Sequence, residues 1–564
     1  DPQIFISSIV AGEIYTPGMS IQIPTTQRQI AINFHGLSFQ TRRKLINYAY
    51  RLKGYDEGWQ FSRENVANYN NLPSGLYEFE VKAIDRAFNY SKEVASAKFE
   101  VVYVPEASSI GLGEVEVFDI FASFYKTYER MAAGQAQVFN KNEIPIEATL
   151  QYYIPELMKR PTQKELLLPP RSKSILPFRA QLDQSLLKIL GQRVWEAEVK
   201  LSYGVSGRTV SVEKTVPLKV HGRGALTWDS MEKAAAFVTP EHAPVVDFSR
   251  GLMSKFEDSL VKNVVNQNIH RAILMFEGLN TLGVKYAPDA NTPFQKTRGD
   301  VVALDNIQYP FELLRSRLGD CDDNTVLYCS LLENLNIRTA FVDVPGHILM
   351  MFDSGVSKTK TLGLLLPESM YVDFRGTLWV PIEVTVLGEG RLFMDAWELG
   401  AKILKTVDTS KAGAITIVSD SWDKYPYGDL EEEYSIDFPA PDLLKNNLRE
   451  NLDRISDLRS KYFAATYIQP LLIDPSNDFI RLNMARSHIE SDDFNLALAH
   501  LPLISGKFKA EALYLIGYSY AGLGDYESAA VYVEQALDLK PEHTGYMESL
   551  CWIYYEMISN NSKI

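Results

Sequence analysis

Cys321 stands in the run Gly319-Asp320-Cys321-Asp322-Asp323, and the apolar positions Val326, Leu327, Leu331 and Leu335 follow it at helical spacing. That spacing predicts a helix with Cys321 at or just before its N-terminus. Unpaired N–H groups and the positive end of the helix dipole favour a thiolate there, so the sequence predicts a thiol that titrates early. Two further residues complete a set. His347 opens an apolar stretch, Ile348 to Phe352, and Glu383 lies inside another, residues 378–386. A thiol before a helix, an imidazole on one strand and a carboxylate on the next have the parts for nucleophilic attack on an amide carbonyl.

Each residue alone has a plainer explanation: a buried Cys is usually a small hydrophobe, and an acid in a strand is often an edge charge. Only the three together, in this order, carry the chemical reading. Cys329 shows the contrast, since it lies two turns beyond Cys321 on a leucine-rich face and reads as core. Asp320, Asp322 and Asp323 make a poor Ca²⁺ loop, with no glycine at a sharp turn and no distal bidentate Glu. Acids in the first turn of a helix suit its dipole instead.

The Gly-Asp-Cys-Asp-Asp string, Gly346-His347-Ile348 at a strand start, and Trp379-Val-Pro-Ile-Glu383-Val-Thr385 resemble the papain-like, transglutaminase-like superfamily in its bacterial form. The resemblance covers residues 227–404. It implies Cys321 as nucleophile, His347 as general base and Glu383 as the residue that orients the imidazole through its Nδ1 proton. Many relatives carry Asp at the third position, where this chain has Glu383. Papain-like enzymes also place an amide side chain upstream of the nucleophile, but six residues before Cys321 stands Arg315. The Cys321 N–H is then one oxyanion donor, and Gln308 and Asn306 are candidates for the second if a loop folds back.

The rest of the chain must position these groups. Its 564 residues are too many for one core, and its composition, 46% hydrophobic and 23% charged, is that of a folded protein. A net charge of −14 without a Lys/Arg cluster argues against nucleic acid. Three Cys make no disulfide framework, and eight scattered His with neither CxxC nor HExxH give no metal site. No cofactor is expected, and no apolar run is long enough for a membrane span in this chain. Because the sequence opens on Asp1-Pro2, an upstream region is expected to have been removed or left out.

Four modules are expected. Residues 1–104 alternate apolar and polar positions as a β-sandwich does. The text Tyr48-x-Tyr50-Arg-Leu-x-Gly54-Tyr-Asp56-x-x-Trp59, then Leu72-Pro-x-Gly75-x-Tyr77-x-Phe79, resembles the three-tyrosine domain of bacterial periplasmic sensor regulators. In that family it is an Ig-like connector. Tyr77 is expected to form a tyrosine corner. Residues 115–223 read as a second Ig-like β-sandwich, with Leu168-Pro-Pro excluding a long helix. Residues 224–425 form the α+β papain-like, transglutaminase-like domain: a helix over 227–240, a longer helical region over 252–282, then Thr292-Pro-Phe294 and the approach to Cys321.

Residues 426–564 read as an α-helical array, with Ala510 to Pro541 resembling a tetratricopeptide repeat and a weaker copy marked by Ala485, Phe494 and Ala497. The expected function is a cysteine amide hydrolase or acyl transferase acting on protein or peptide substrates, periplasmic or secreted in a bacterial envelope. The alternative is an inactive scaffold whose sandwiches and repeats hold envelope protein partners.

Overall fold

A computed structural model describes residues 1–39, 41, 45–205, 207–256, 266–288, 303–411, 413–431 and 434–561. The chain forms two compact units: Asp1–Phe118 with Ala132–Ala180 and Trp195–Leu218, and Asp119–Met131 with Gln181–Val194 and Lys219–Ile564.

The first unit is built of β-sheets. Strand Gln29–Leu37 pairs antiparallel with Gln3–Ala11 on one side and Val66–Asn70 on the other. A five-stranded sheet orders Gln22–Pro24, Ala95–Val102, Gly75–Ile84, Asn47–Lys53 and Gln60–Ser62. Strict alternation turns Ile30, Ile32 and Phe34 inward to meet Tyr48 and Phe79 in one core. Tyr77 O–H donates to the Pro73 carbonyl at 2.8 Å, which is the expected tyrosine-corner bond. Further along, Gly134–Asn140 pairs with Ile110–Val117 and Ser172–Phe178, while Ile146–Tyr153 pairs with Thr162–Leu168 and Arg193–Val205.

The second unit collects two segments, 119–131 and 181–194, that the sequence places inside the second β-module. Long-range pairing decides this. Ile120 and Phe121 pair in parallel with Val220 and His221, and His221 Nε2 lies 2.8 Å from Asp119 Oδ2. The body of the unit is helices Ala243–Phe256, Gln267–Leu282 and Cys321–Asn334 with a five-stranded sheet. Its strand order is Val372–Phe374, Thr377–Ile382, His347–Ser357, Thr339–Val344, Ile415–Ile417.

One expectation fails here. The helix predicted over 227–240 is instead the end of strand Ala225–Thr227, paired with Leu304–Asn306, followed by a short 3₁₀ turn Met231–Phe237. Ala234, Ala235, Ala236 and Phe237 are all fully buried, so the segment has no solvent face for an amphipathic helix to turn outward. The helical region over 252–282 is two described helices, the second capped by Asn266, whose Oδ1 accepts the Ile269 N–H. Residues 257–265 and Thr292-Pro-Phe294 lie outside the described residues.

The C-terminal region is helical: Pro441–Phe463, Asp478–Glu490, Phe494–His500, Lys509–Gly522, Tyr526–Leu539 and Thr544–Asn561. At Gly517 a Cβ would lie 2.6 Å from Val533 Cγ2 and 2.8 Å from the Ala529 carbonyl, so the last repeat closes only around a glycine. Helix Pro441–Phe463 docks on Gln267–Leu282 through Glu277, which accepts from Asn451 Nδ2 at 2.9 Å and Asn447 Nδ2 at 3.0 Å. Among the described residues no helix is long and apolar enough to cross a membrane.

Candidate active site

Cys321 is the first residue of helix Cys321–Asn334, as its sequence pattern requires. Asp320 caps that helix, and Asp323 returns the bond to the Asp320 N–H, a reciprocal box that fixes the first turn. His347 opens strand His347–Ser357 after the turn Pro345-Gly346, where Gly346 takes φ 71°. Glu383 does not lie inside a strand. It stands just past Thr377–Ile382, capping a 3₁₀ turn at Val384–Val386 with its carboxylate on the Thr385 N–H.

His347 and Glu383 meet side chain to side chain. His347 Nε2 is 2.7 Å from Glu383 Oε2. The other carboxylate oxygen accepts Thr385 N–H at 3.0 Å and Thr385 O–H at 2.6 Å, so Glu383 is held at both ends. The N–H of Ile348, the residue after His347, favours the Cys321 thiolate. Nε2, not the expected Nδ1, takes the carboxylate. Burial raises the Glu383 carboxyl, but its bond to His347, the imidazole charge and Thr385 outweigh it and hold the group below its ordinary range.

The electrostatics at the sulfur are opposite to the expectation. Burial, then Asp322, then Asp320 push the Cys321 thiol well up, and the N–H groups of Ile348 and Asp322 pull it only partly back. The residue is 7% exposed. Desolvation of a thiolate and two adjacent carboxyls outweigh the half-charge of a helix end. Asp322 is itself wholly buried and pushed far above the carboxylate range, first by burial and then by its contact with Asp320. Asp320, Cys321 and Asp322 present ligand atoms within 4.8 Å of one another. Asp320 Oδ1 and Asp322 Oδ1 both accept the Asp323 N–H.

The upstream loop does fold back, but the Gln308 amide is engaged. Gln308 N–H and Nε2 both donate to Asp323, at 2.7 Å each, and Nε2 also donates to the Leu318 carbonyl at 3.0 Å. Asn306 packs its side chain against Gly224, and Arg315 lies over the Tyr434 ring. Tyr286 is the residue that sequence reasoning missed. Its strand Lys285–Tyr286 pairs in parallel with Leu318–Gly319, two residues before the thiol, and its N–H donates to Leu387 just beyond the Glu383 turn. Burial raises its phenol, and the charges of Cys321, Asp320 and Glu383 raise it further, although the ring is 39% exposed. Nothing in Lys285-Tyr286-Ala287 signals this, because the pairing that places it is long-range. Cys329 is fully buried, in keeping with a core role.

Comparison with known proteins bears on the ends of the chain. Residues 42–102 match the Y_Y_Y domain model and residues 510–543 match a tetratricopeptide repeat; neither match reaches Cys321, His347 or Glu383. No curated protein matches the chain. Among solved structures, the extracellular domain of a hybrid two-component system, BT3049, from B. thetaiotaomicron is 21% identical with a TM-score of 0.16, over 18% of this chain and 15% of that one. The extracellular domain of BT4673 from the same organism is 18% identical at TM-score 0.16, over 18% and 16%. The fibronectin(III)-like modules of Clostridium thermocellum CbhA are 8% identical at TM-score 0.14, over 39% and 95%. The protein is thus multidomain, with a Y_Y_Y domain in its β-rich N-terminal part and a helical C-terminal region that contains a tetratricopeptide repeat.

Proposed function

We propose that the protein is a transglutaminase-like cysteine amide hydrolase or acyl transferase acting on protein or peptide substrates in the bacterial cell envelope. The observation that carries the reading is the 2.7 Å bond from His347 Nε2 to Glu383, with Cys321 at the start of a helix that packs under strand His347–Ser357. Since the thiol is pushed up, His347 acts as a general base during attack and not as half of a standing ion pair. Sγ bonds to the carbonyl carbon, the thiol proton passes through His347 to the leaving amine, and the C–N bond breaks. Water or a second amine then attacks the thioester and regenerates the thiol. The Cys321 N–H and the Tyr286 O–H are the donors for the oxyanion in this scheme. The tetratricopeptide repeat adds a surface for protein partners.

A second reading is favoured by the upward push on the thiol: a scaffold in which Cys321 is merely buried. Iodoacetamide separates the two readings. An active site alkylates at Cys321 ahead of Cys329, in a manner that His347→Ala slows, and Cys321→Ala abolishes release of amine from a labelled carboxamide peptide. Alkylation indifferent to His347, with no amine released by the intact chain, leaves the scaffold.

A further inference from the structure

Strand Ile415–Ile417 ends its sheet, with Thr339–Val344 on one side and no strand on the other among the described residues. The Asp343 N–H donates to the Ala414 carbonyl at 2.9 Å, and Phe341 stands opposite Thr416. Opposed residues in an antiparallel ladder alternate between bonded and unbonded pairs, so Ile415 turns both its N–H and its C=O away from the sheet. Those groups face a groove of about 920 Å³, within the size of ligand sites.

Its lining comes within two residues of His347 along the chain. Pro345, two residues before His347, lines it, and so does Trp228, whose Nε1 donates at 2.7 Å to Asp305. Five carboxylates line the groove against Arg375 and Lys411. Three of the five are ion-paired: Asp229 with Lys233, Glu232 with Lys424, and Asp420 with Arg375. Asp408 is held by the Ser410 N–H and O–H, which fix its carboxylate in place at the groove wall.

We propose that this groove takes an extended segment of the substrate polypeptide, added as a strand to the open edge at Ile415, with a Lys or Arg side chain set against Asp408. Main-chain bonds give such a site its affinity and side-chain pockets its preference. The proposal rests on Cys321 being the nucleophile, because the groove then delivers a peptide to it.

The test reads binding and not turnover, so it is independent of the chemistry. Fluorescein-labelled hexapeptides containing Gln, with Lys, Ala or Glu at the other positions, are titrated by anisotropy against the full chain carrying Cys321→Ala. Ile415→Pro removes the outward N–H at an edge position where proline is tolerated, and Ile415→Ala, which keeps that N–H, controls for the side chain packed against Val342 and Leu404. Against that control, Ile415→Pro is expected to weaken every hexapeptide by about tenfold, the equivalent of one or two main-chain hydrogen bonds. Asp408→Asn is expected to weaken the Lys peptides about threefold, one rim ion pair, and leave the Ala peptides unchanged. Each variant is checked for an unchanged melting temperature. Hexapeptides that bind none of the proteins, or bind all with one affinity, overturn the groove. Failure of Cys321 to alkylate selectively in the unmodified chain overturns the catalytic reading instead.

Discussion

The N-terminal sandwich and the first turn of the cysteine helix both bury polar groups, and they treat them differently. In the sandwich every named polar group has a fixed partner: Tyr77 O–H on Pro73, Tyr69 O–H on Asp56 Oδ2 at 2.8 Å, and Asp85 on the N–H groups of Ala87 and Asn89. Asp85 is accordingly held below its ordinary range, first by the Asn89 side-chain amide and then by those N–H groups. Around Cys321 the acids lie against one another, and burial pushes Asp322, Asp323 and the thiol all upward. Satisfied polar groups build a fold, whereas a cluster kept out of its ordinary protonation state is where chemistry is expected.

Breaking that contrast gives the largest effect. Cys321→Ala should remove amide turnover by a factor of ~10⁴ or more, the usual loss when a nucleophile goes, while melting within a few degrees of the parent. Glu383→Gln should follow at ~10²–10⁴ in kcat, since the imidazole loses the anion that orients it; near-normal kcat would leave Glu383 a structural cap for Thr385. Tyr286→Phe should lower kcat by about 10², as for one oxyanion donor, with KM within a few-fold.

The thiol's pH behaviour sharpens the comparison. With its proton held by burial and by Asp322 and Asp320, alkylation of Cys321 should be slow near neutral pH and rise only in the alkaline range. Asp322→Asn removes one of the carboxyls responsible, so it should shift that rise to lower pH and speed alkylation at pH 8 several-fold. Mass-spectrometric alkylation rates against pH check both. The smallest effect belongs to the sandwich. Tyr77→Phe should cost about 1 kcal/mol, the worth of one buried hydrogen bond, and leave turnover unchanged. A thermal melt beside a kinetic assay reads that outcome.

Stability should also carry the sign of Glu383. Its folded carboxyl titrates below the unfolded value, so the bonds to His347 and Thr385 contribute above the ordinary carboxylate range and are lost as pH falls through the folded value. Glu383→Gln should flatten that acid limb in melts between about pH 3 and pH 5, the window set by an ordinary Glu.

Local pattern determined much of the molecule. Alternation in Gln29–Leu37, the Asp320 cap and apolar spacing behind Cys321, and small residues at Gly517 all act through neighbours a few positions away, so composition alone specifies the strand, the helix start and the helix contact. The identity of the candidate trio was legible for the same reason. What only tertiary structure decided is how distant segments meet: Nε2 of His347 taking Glu383, Tyr286 registered against Gly319, and 227–240 turning into strand and 3₁₀ turn. The state of the thiol belongs with these. Helix-end charge is a local property that a sequence displays, but desolvation is the sum of everything packed around an atom, and it exists only once the chain has closed over Cys321.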